Sequence, residues 1–328
     1  MDSTTDGTWT PATTDSTSSE YQYTTLYKAL QCILLLGCAV ILVGLNSLVV
    51  LSFLFKRIPR TLSNFYMFQL AIADGATGFF VFFNVFSNIF YTLSKSTAYC
   101  MFETIPAISC LMASTFCILG LTIDRLRALR NPLVYIPDMT TKKYITSALG
   151  VWIIPVTVFF ILPMAWYPHL EDTPLKACHT LYILKREFTS YFFLPSIFLI
   201  FASVSVVYVP ILKMAIKHSR EIQAMAPDQN EIKMKSQLQI LKTATMILLP
   251  YFAGWMPWTF FTAAIVYNDD KFNSPGGIFT VTLYIAYPLI LTSGVNPIIY
   301  AARMPEYRQA FRAFFGCQTQ MIGHKLST

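Results

Sequence analysis

Residues Leu26 to Phe55 read LYKALQCILLLGCAVILVGLNSLVVLSFLF, and the basic stretch Lys56-Arg57-Ile58-Pro59-Arg60 follows at once. Within the run Lys28 is the one charged residue, near its start. A water-facing helix needs a polar face along its whole length, and this run has none. A bilayer core about 30 Å thick takes roughly 20 apolar residues per helical span, so the run reads as a transmembrane helix ending at a basic interface. The whole chain repeats the pattern: of 328 residues 55% are hydrophobic and 12% charged, about half the charge of a soluble domain.

Six further apolar runs follow, Asn64 to Leu93, one starting at Cys100 and ending in the basic stretch Arg125 to Arg130, Tyr144 to Tyr167, Glu187 to Ile216, Leu238 to Tyr267 and Gly276 to Ala302. Short connections leave no room for a separate domain. The expected fold is therefore an all-α membrane protein, a seven-transmembrane helix bundle, with residues 26–302 as the membrane domain. Lys142, Lys143, Lys213, Lys217, Arg220, Lys233, Lys235, Arg303, Arg308 and Arg312 fall on the side of the first basic loop. Cytoplasmic loops hold the basic excess, so this side is cytoplasmic and the N-terminus extracellular. The net charge of +7 is then a topology signal and gives no reason to expect a nucleic-acid partner.

Residues 1–25 are rich in Thr and Ser, with neither a basic start nor an apolar core, and read as a short disordered extracellular segment without a signal peptide. Residues 303–328 begin with Tyr307, Phe311, Phe314 and Phe315 alternating with Arg308 and Arg312, an amphipathic interfacial helix followed by a short tail. Cys317 follows that helix, either a palmitoylation site or an ordinary cytosolic thiol. Cys100 and Cys178 fall near the outer surface, where an oxidising compartment favours pairing, with two free thiols as the alternative. From Cys100 to Arg125 is about 25 residues, roughly 38 Å of helix, which sets the former outside and the latter inside.

The third run ends in Leu121-Thr-Ile-Asp124-Arg125-Leu126 and continues to Asn131-Pro132-Leu133, and the seventh carries Asn296-Pro297-Ile298-Ile299-Tyr300. Asn46, the string Leu70-Ala-Ile-Ala-Asp74, Trp152, Pro195 and Trp255-Met-Pro257 each fall in their own span. Together, in order, these markers resemble those of the rhodopsin-like (class A) G-protein-coupled receptors, and the resemblance covers the chain from Asn46 to Tyr300. It implies a Cys100–Cys178 disulfide, a sodium and water site at Asp74, Ser114, Ser293 and Asn296, and an Arg125 that helps receive a heterotrimeric G protein. Asp124, Pro132, Leu133 and Tyr300 belong to the same switch and coupling surface, and the C-terminal amphipathic segment resembles the family's eighth helix. Sodium is the only cofactor implied. Bottom-up, a carboxylate at mid-membrane such as Asp74 needs polar partners or a function, or is kept neutral by burial, and the Asp124-Arg125 pair alone is an interfacial ion pair of small worth. Leu126 stands where the family has Tyr, Tyr251 where it has Phe, Gly254 where Cys is common, and Ser203 where a Tyr follows Pro195 by eight residues. These departures suggest a nonstandard intracellular lock and high basal activity.

The last run has no Lys between Gly276 and Ala302, which excludes retinal Schiff-base chemistry. Ala107 stands where amine receptors of the family usually carry Asp, which speaks against an ordinary amine site. Glu103, one turn closer to the outside, serves either a cationic ligand or the wet mouth of the bundle. Glu187, Tyr191, Trp255, Trp258, Thr262, Tyr284 and Ala286 complete the candidate ligand-binding set, their aromatics suited to an amphipathic cavity or to packing. The short N-terminus favours a small molecule or short peptide as the extracellular ligand. The compact loops also resemble invertebrate serpentine chemoreceptors, making an odorant or pheromone receptor of the same fold the alternative. A transporter or channel is the rival class, but the spans show no internal repeat. No His/Glu or His/Asp metal spacing and no Gly-rich phosphate loop points to an enzyme.

Overall fold

The computed structural model describes residues 25–130, 140–165, 178, 183–184, 186–224, 230–267 and 275–316. Among them are seven long helices. They are α1 (Thr25–Leu54), α2 (Leu62–Ile89), α3 (Thr97–Arg130) and α4 (Thr141–Val156, continued through a π-helical turn, Thr157–Ile161, and Leu162–Ala165). Next come α5 (Arg186–Phe188, a π-helical turn, Thr189–Phe193, then Leu194–Ala224), α6 (Asn230–Tyr267) and α7 (Pro275–Arg303). A short helix, Tyr91–Lys95, links α2 to α3, and α8 (Pro305–Phe314) follows α7 after one residue. Five of the long helices are long and apolar enough over their described residues to cross a membrane.

Local chemistry fixes the boundaries. Thr61 accepts the backbone N–H of Asn64 at 3.2 Å and Thr140 that of Lys143 at 3.4 Å, capping the starts of α2 and α4. Pro305 starts α8, where its missing N–H costs nothing, and Gly316 beyond its end takes φ +72°. Ile33, Val40, Leu199, Val206 and Leu249 lie between 63% and 71% exposed around the outside. In water such a belt would be an aggregation surface; against lipid tails it is the required one. The polar side chains Asn46, Asp74, Glu103, Ser114, Ser293 and Asn296 point inward and are buried, the arrangement expected for groups that a bilayer cannot solvate.

Small residues set how closely the helices approach. A Cβ on Gly78 of α2 would lie 2.6 Å from Leu42 Cβ of α1, and one on Gly120 of α3 would run into the ring of Tyr66. Since lipid gives no hydrophobic drive between helices, such close backbone contact supplies the dispersion that holds them. On the side of the first basic loop, Arg57 stacks over the Phe314 ring of α8, 4.2 Å from its centroid. Residues 1–24 and 317–328 lie outside the described residues, and with them the N-terminal segment and Cys317. Pro132 and Leu133 do too.

Candidate functional site

Between the outer ends of the helices lies a cavity of about 200 Å3. Cys178 lines it, bonded to Cys100 of α3 with their Cα atoms 5.0 Å apart, so the segment after α4 is tied to the top of α3. On one side the cavity is polar, with Gln31 of α1, Asn84 and Asn88 of α2, and Glu103 of α3. On the other it is apolar and aromatic, with Phe193 of α5, Trp255 and Trp258 of α6, and Leu289 of α7.

Glu103 is 2% exposed. Its Oε1 accepts the Asn84 amide at 2.8 Å and the Ser87 hydroxyl at 3.0 Å, whereas Oε2 has no hydrogen-bonding partner. The reading of Glu103 as a wet carboxylate at the mouth is therefore corrected, because α2 and α3 pack closely enough to enclose it. Asn88 Nδ2 donates to the Asn84 carbonyl at 2.7 Å, which steadies the residue that holds Glu103.

Of the nine residues expected at the ligand, Glu103, Ala107, Trp255, Trp258 and Ala286 line the cavity. Thr262 is 1% exposed, and its hydroxyl has no hydrogen-bonding partner; it is not in the cavity wall. Tyr284 lies on α7, but its side chain is outside the described residues. Glu187 and Tyr191 are corrections. Both are exposed, Tyr191 at 74%, and it is Phe193 that faces the cavity. The π-helical turn Thr189–Phe193 is the cause, because it takes in one extra residue and rotates what precedes it by roughly 100° relative to uniform α-helical counting. Asn84 and Asn88 were missed. Their signal was present, since Asn84, Ser87 and Asn88 recur at helical spacing within an otherwise Phe-rich stretch of α2.

Below Trp255 lies a second polar cluster. Asp74 of α2 is fully buried, and its Oδ2 accepts the Asn296 amide of α7 at 2.9 Å. Ser114 of α3 and Ser293 of α7 are its other polar neighbours. Asp74 Oδ1 has no hydrogen-bonding partner. Asn46 of α1 donates to the Leu42 carbonyl at 2.9 Å and to the Ser293 carbonyl at 3.2 Å, tying α1 to α7 beside the cluster. A buried carboxylate with one orphaned oxygen and two serine hydroxyls at hand is a donor set that fits a small hard cation such as sodium. Gly254, next to Trp255, faces α7 so closely that a Cβ there would sit 2.6 Å from Thr292 Cγ2 and 3.1 Å from Leu289 Cα. A larger residue there would require Thr292 and the Leu289 backbone to give way.

At the end of the bundle that carries the first basic loop, Asp124 is 1% exposed and accepts the Ser63 hydroxyl of α2 at 2.5 Å. Leu126 packs with Tyr208 and Ile211 of α5, so the residue replacing the family's tyrosine makes an apolar contact. The missing tyrosine of α5 is supplied further along: Tyr208 is hydrogen-bonded to Thr245 of α6. Tyr300 is 1% exposed with no hydrogen-bonding partner on its hydroxyl, and its ring centroid lies 5.3 Å from that of Tyr307 in α8. Tyr307 is itself fully buried and donates to Asn64 Oδ1 at 3.4 Å.

The profile of the family described as 7 transmembrane receptor (rhodopsin family) matches residues 45–300. The octopamine receptor beta-2R of Chilo suppressalis is 25% identical, covering 92% of this chain and 82% of its own. The 5-hydroxytryptamine receptor 4 of Cavia porcellus is 26% identical, with 81% of this chain and 74% of its own covered. The tachykinin-like peptides receptor 99D of Drosophila melanogaster is 24% identical over 88% of this chain and 57% of its own.

Proposed function

The chain belongs to the rhodopsin family of seven-transmembrane receptors, and from that premise we propose that it acts in the plasma membrane, N-terminus outside, relaying an extracellular ligand to a heterotrimeric G protein. It is a multi-pass receptor for a small molecule or peptide and not an enzyme. The observation that carries the proposal is the continuity from cavity to cytoplasm. Trp255 lines the cavity, its neighbour Gly254 abuts Thr292, and the next residue along α7, Ser293, faces Asp74. A ligand that shifts Trp255 therefore presses directly on the helix that shares the Asp74 cluster.

Each end of the relay has a residue set. Glu103, Ala107, Trp255, Trp258 and Ala286 contact the ligand, and Asp74, Ser114, Ser293 and Asn296 hold a sodium ion in the resting state. At the cytoplasmic face the Ser63–Asp124 and Tyr208–Thr245 contacts restrain α3 and α6. Their release frees Arg125 to meet the G protein, with Pro132, Leu133 and Tyr300 at the same surface. Pro250 and Pro257 of α6 and Pro297 of α7 each remove a helix hydrogen bond, which localises bending between the cavity and the cytoplasmic end.

Nucleotide exchange on a panel of purified G proteins, driven by membranes carrying the chain, tests this. Exchange above that of empty membranes on at least one G protein, lost in Arg125→Ala, is the expected result. Exchange unaffected by that substitution would refute the assigned coupling surface.

A further inference from the structure

Resting on the reading of the outer cavity as the ligand site, we infer that Glu103 is the counter-ion of a ligand ammonium group and that the site takes a small monoamine with one aromatic ring system. The ammonium lies toward α1, α2 and α3, and the ring toward α5 and α6.

The argument begins with an incomplete carboxylate. Glu103 is buried at 2% exposure inside a membrane protein, where ionised groups are tolerated only when paired or set to a function. Its Oε1 is fully engaged by two neutral donors, Asn84 Nδ2 and Ser87 Oγ. They orient the group without neutralising it. Oε2 is buried without a hydrogen-bonding partner, in a residue that lines the cavity. An ammonium supplies both things missing, a donor for Oε2 and a compensating charge, and in a water-poor cavity that pairing is strong.

The cavity's shape restricts the rest of the ligand. At about 200 Å3 it lies below the range of roughly 300–1,000 Å3 usual for drug-sized ligands, which favours a small ligand in its interior. The wall across from Glu103 presents Phe193, Trp255 and Trp258, surfaces that favour an offset-stacked or edge-on aromatic ring. Gln31 and Asn88 lie on the same polar side as Glu103, which fixes the polarity of the site. Ala107, one helical turn deeper in the same wall, offers no charge, so the ammonium sits nearer the Cys178 roof than the cavity floor.

The experiment is a direct titration of the purified full-length protein in lipid nanodiscs with 2-phenylethylamine and with its uncharged counterpart 2-phenylethanol. We expect the amine to bind about tenfold tighter or more than the alcohol, and the preference to collapse to near unity in Glu103→Gln. Cooperative melting of that variant verifies that it is folded, and Glu103→Asp is expected to recover part of the preference. Equal affinity for both compounds, binding of neither, or an amine preference that survives Glu103→Gln overturns the inference. Because binding needs no G protein, failure of nucleotide exchange with amine binding intact would sink the coupling proposal and leave this site standing.

Discussion

The outer part of the bundle and the part below Trp255 follow opposite packing rules. Above, the helices leave a cavity of about 200 Å3. Below, a methyl group on Gly120 or Gly254 would force a neighbour to shift, and even the tyrosines Tyr300 and Tyr307 are at most 1% exposed. A loose region absorbs a ligand without disturbing its walls, whereas a close-packed one passes displacement on, since it shifts as a body or not at all. Trp255 stands at the boundary, in the cavity wall and in the core below it. On the proposed function, signal reception and signal transfer would thus be separated by packing density.

The hardest blow to this contrast would come from α8. Tyr307→Ala deletes a fully buried ring that α8 wedges against Tyr300, Phe311 and Asn64. A loss of about 3–5 kcal/mol is expected, the usual cost of emptying an aromatic site, read as a lower thermal midpoint in nanodiscs. Tyr307→Phe gives up only a long hydrogen bond and should cost no more than about 1 kcal/mol. If the alanine variant melts like the wild type, α8 is a loose appendage and the lower region is less tight than described.

The seam between α6 and α7 sharpens the contrast at the next level. Gly254→Ala sets a Cβ against Thr292 Cγ2 and the Leu289 backbone. A flexible tip yields cheaply but a backbone does not, so overpacking of about 1–3 kcal/mol is expected. Adding Thr292→Ser removes the offending methyl and should recover part of that, leaving the share set by Leu289. Full recovery would show that only the side chain resists.

Much of the fold was legible in the sequence because the bilayer imposes it. Each span had to be apolar over a fixed length, so Leu26 to Phe55 anticipated α1 within about one residue, and the end of the Gly276 to Ala302 run fell one residue short of the end of α7. The Trp255 and Asn296 markers located the floor of the cavity and the partner of Asp74. What failed was rotation about the helix axis. Glu187 and Tyr191 suggested themselves by type and by their place near the top of the fifth span, but the π-helical turn at Thr189–Phe193 has no local signature, and it is Phe193 that lines the cavity. Glu103 was legible as a residue but not as a buried one, because its enclosure depends on Asn84 and Ser87 of a neighbouring helix. The lack of a tyrosine at Ser203 was correctly seen, yet Tyr208 reaches α6 from further along α5.

A smaller effect separates restraint from packing within the lower region. Ser63→Ala removes the hydroxyl that Asp124 accepts at 2.5 Å while leaving the surrounding contacts in place. A hydrogen bond to a charged group contributes about 1.5–3 kcal/mol. If part of it is lost on activation, ligand-free nucleotide exchange should rise by up to about tenfold, the equivalent of 1.4 kcal/mol in the resting equilibrium. Unchanged basal exchange would mean that the contact persists in both states, and that resistance to activation comes from the Tyr208–Thr245 contact and the glycine seams.

The smallest stability change is expected where the most atoms are added, and this is the sharpest form of the contrast. Ala107→Leu introduces three carbons into the cavity wall, against the single carbon of Gly254→Ala, yet its thermal midpoint should stay within the equivalent of about 1 kcal/mol of wild type. The new atoms enter existing space beside Ile108 and Leu111 and gain dispersion with the opposite aromatic wall. The volume they occupy is volume a ligand would need, so the variant should fold normally while binding less 2-phenylethylamine. A destabilisation as large as that of Gly254→Ala would mean that the outer walls are as tightly fitted as the seams below, and the division of the bundle at Trp255 would have to be abandoned.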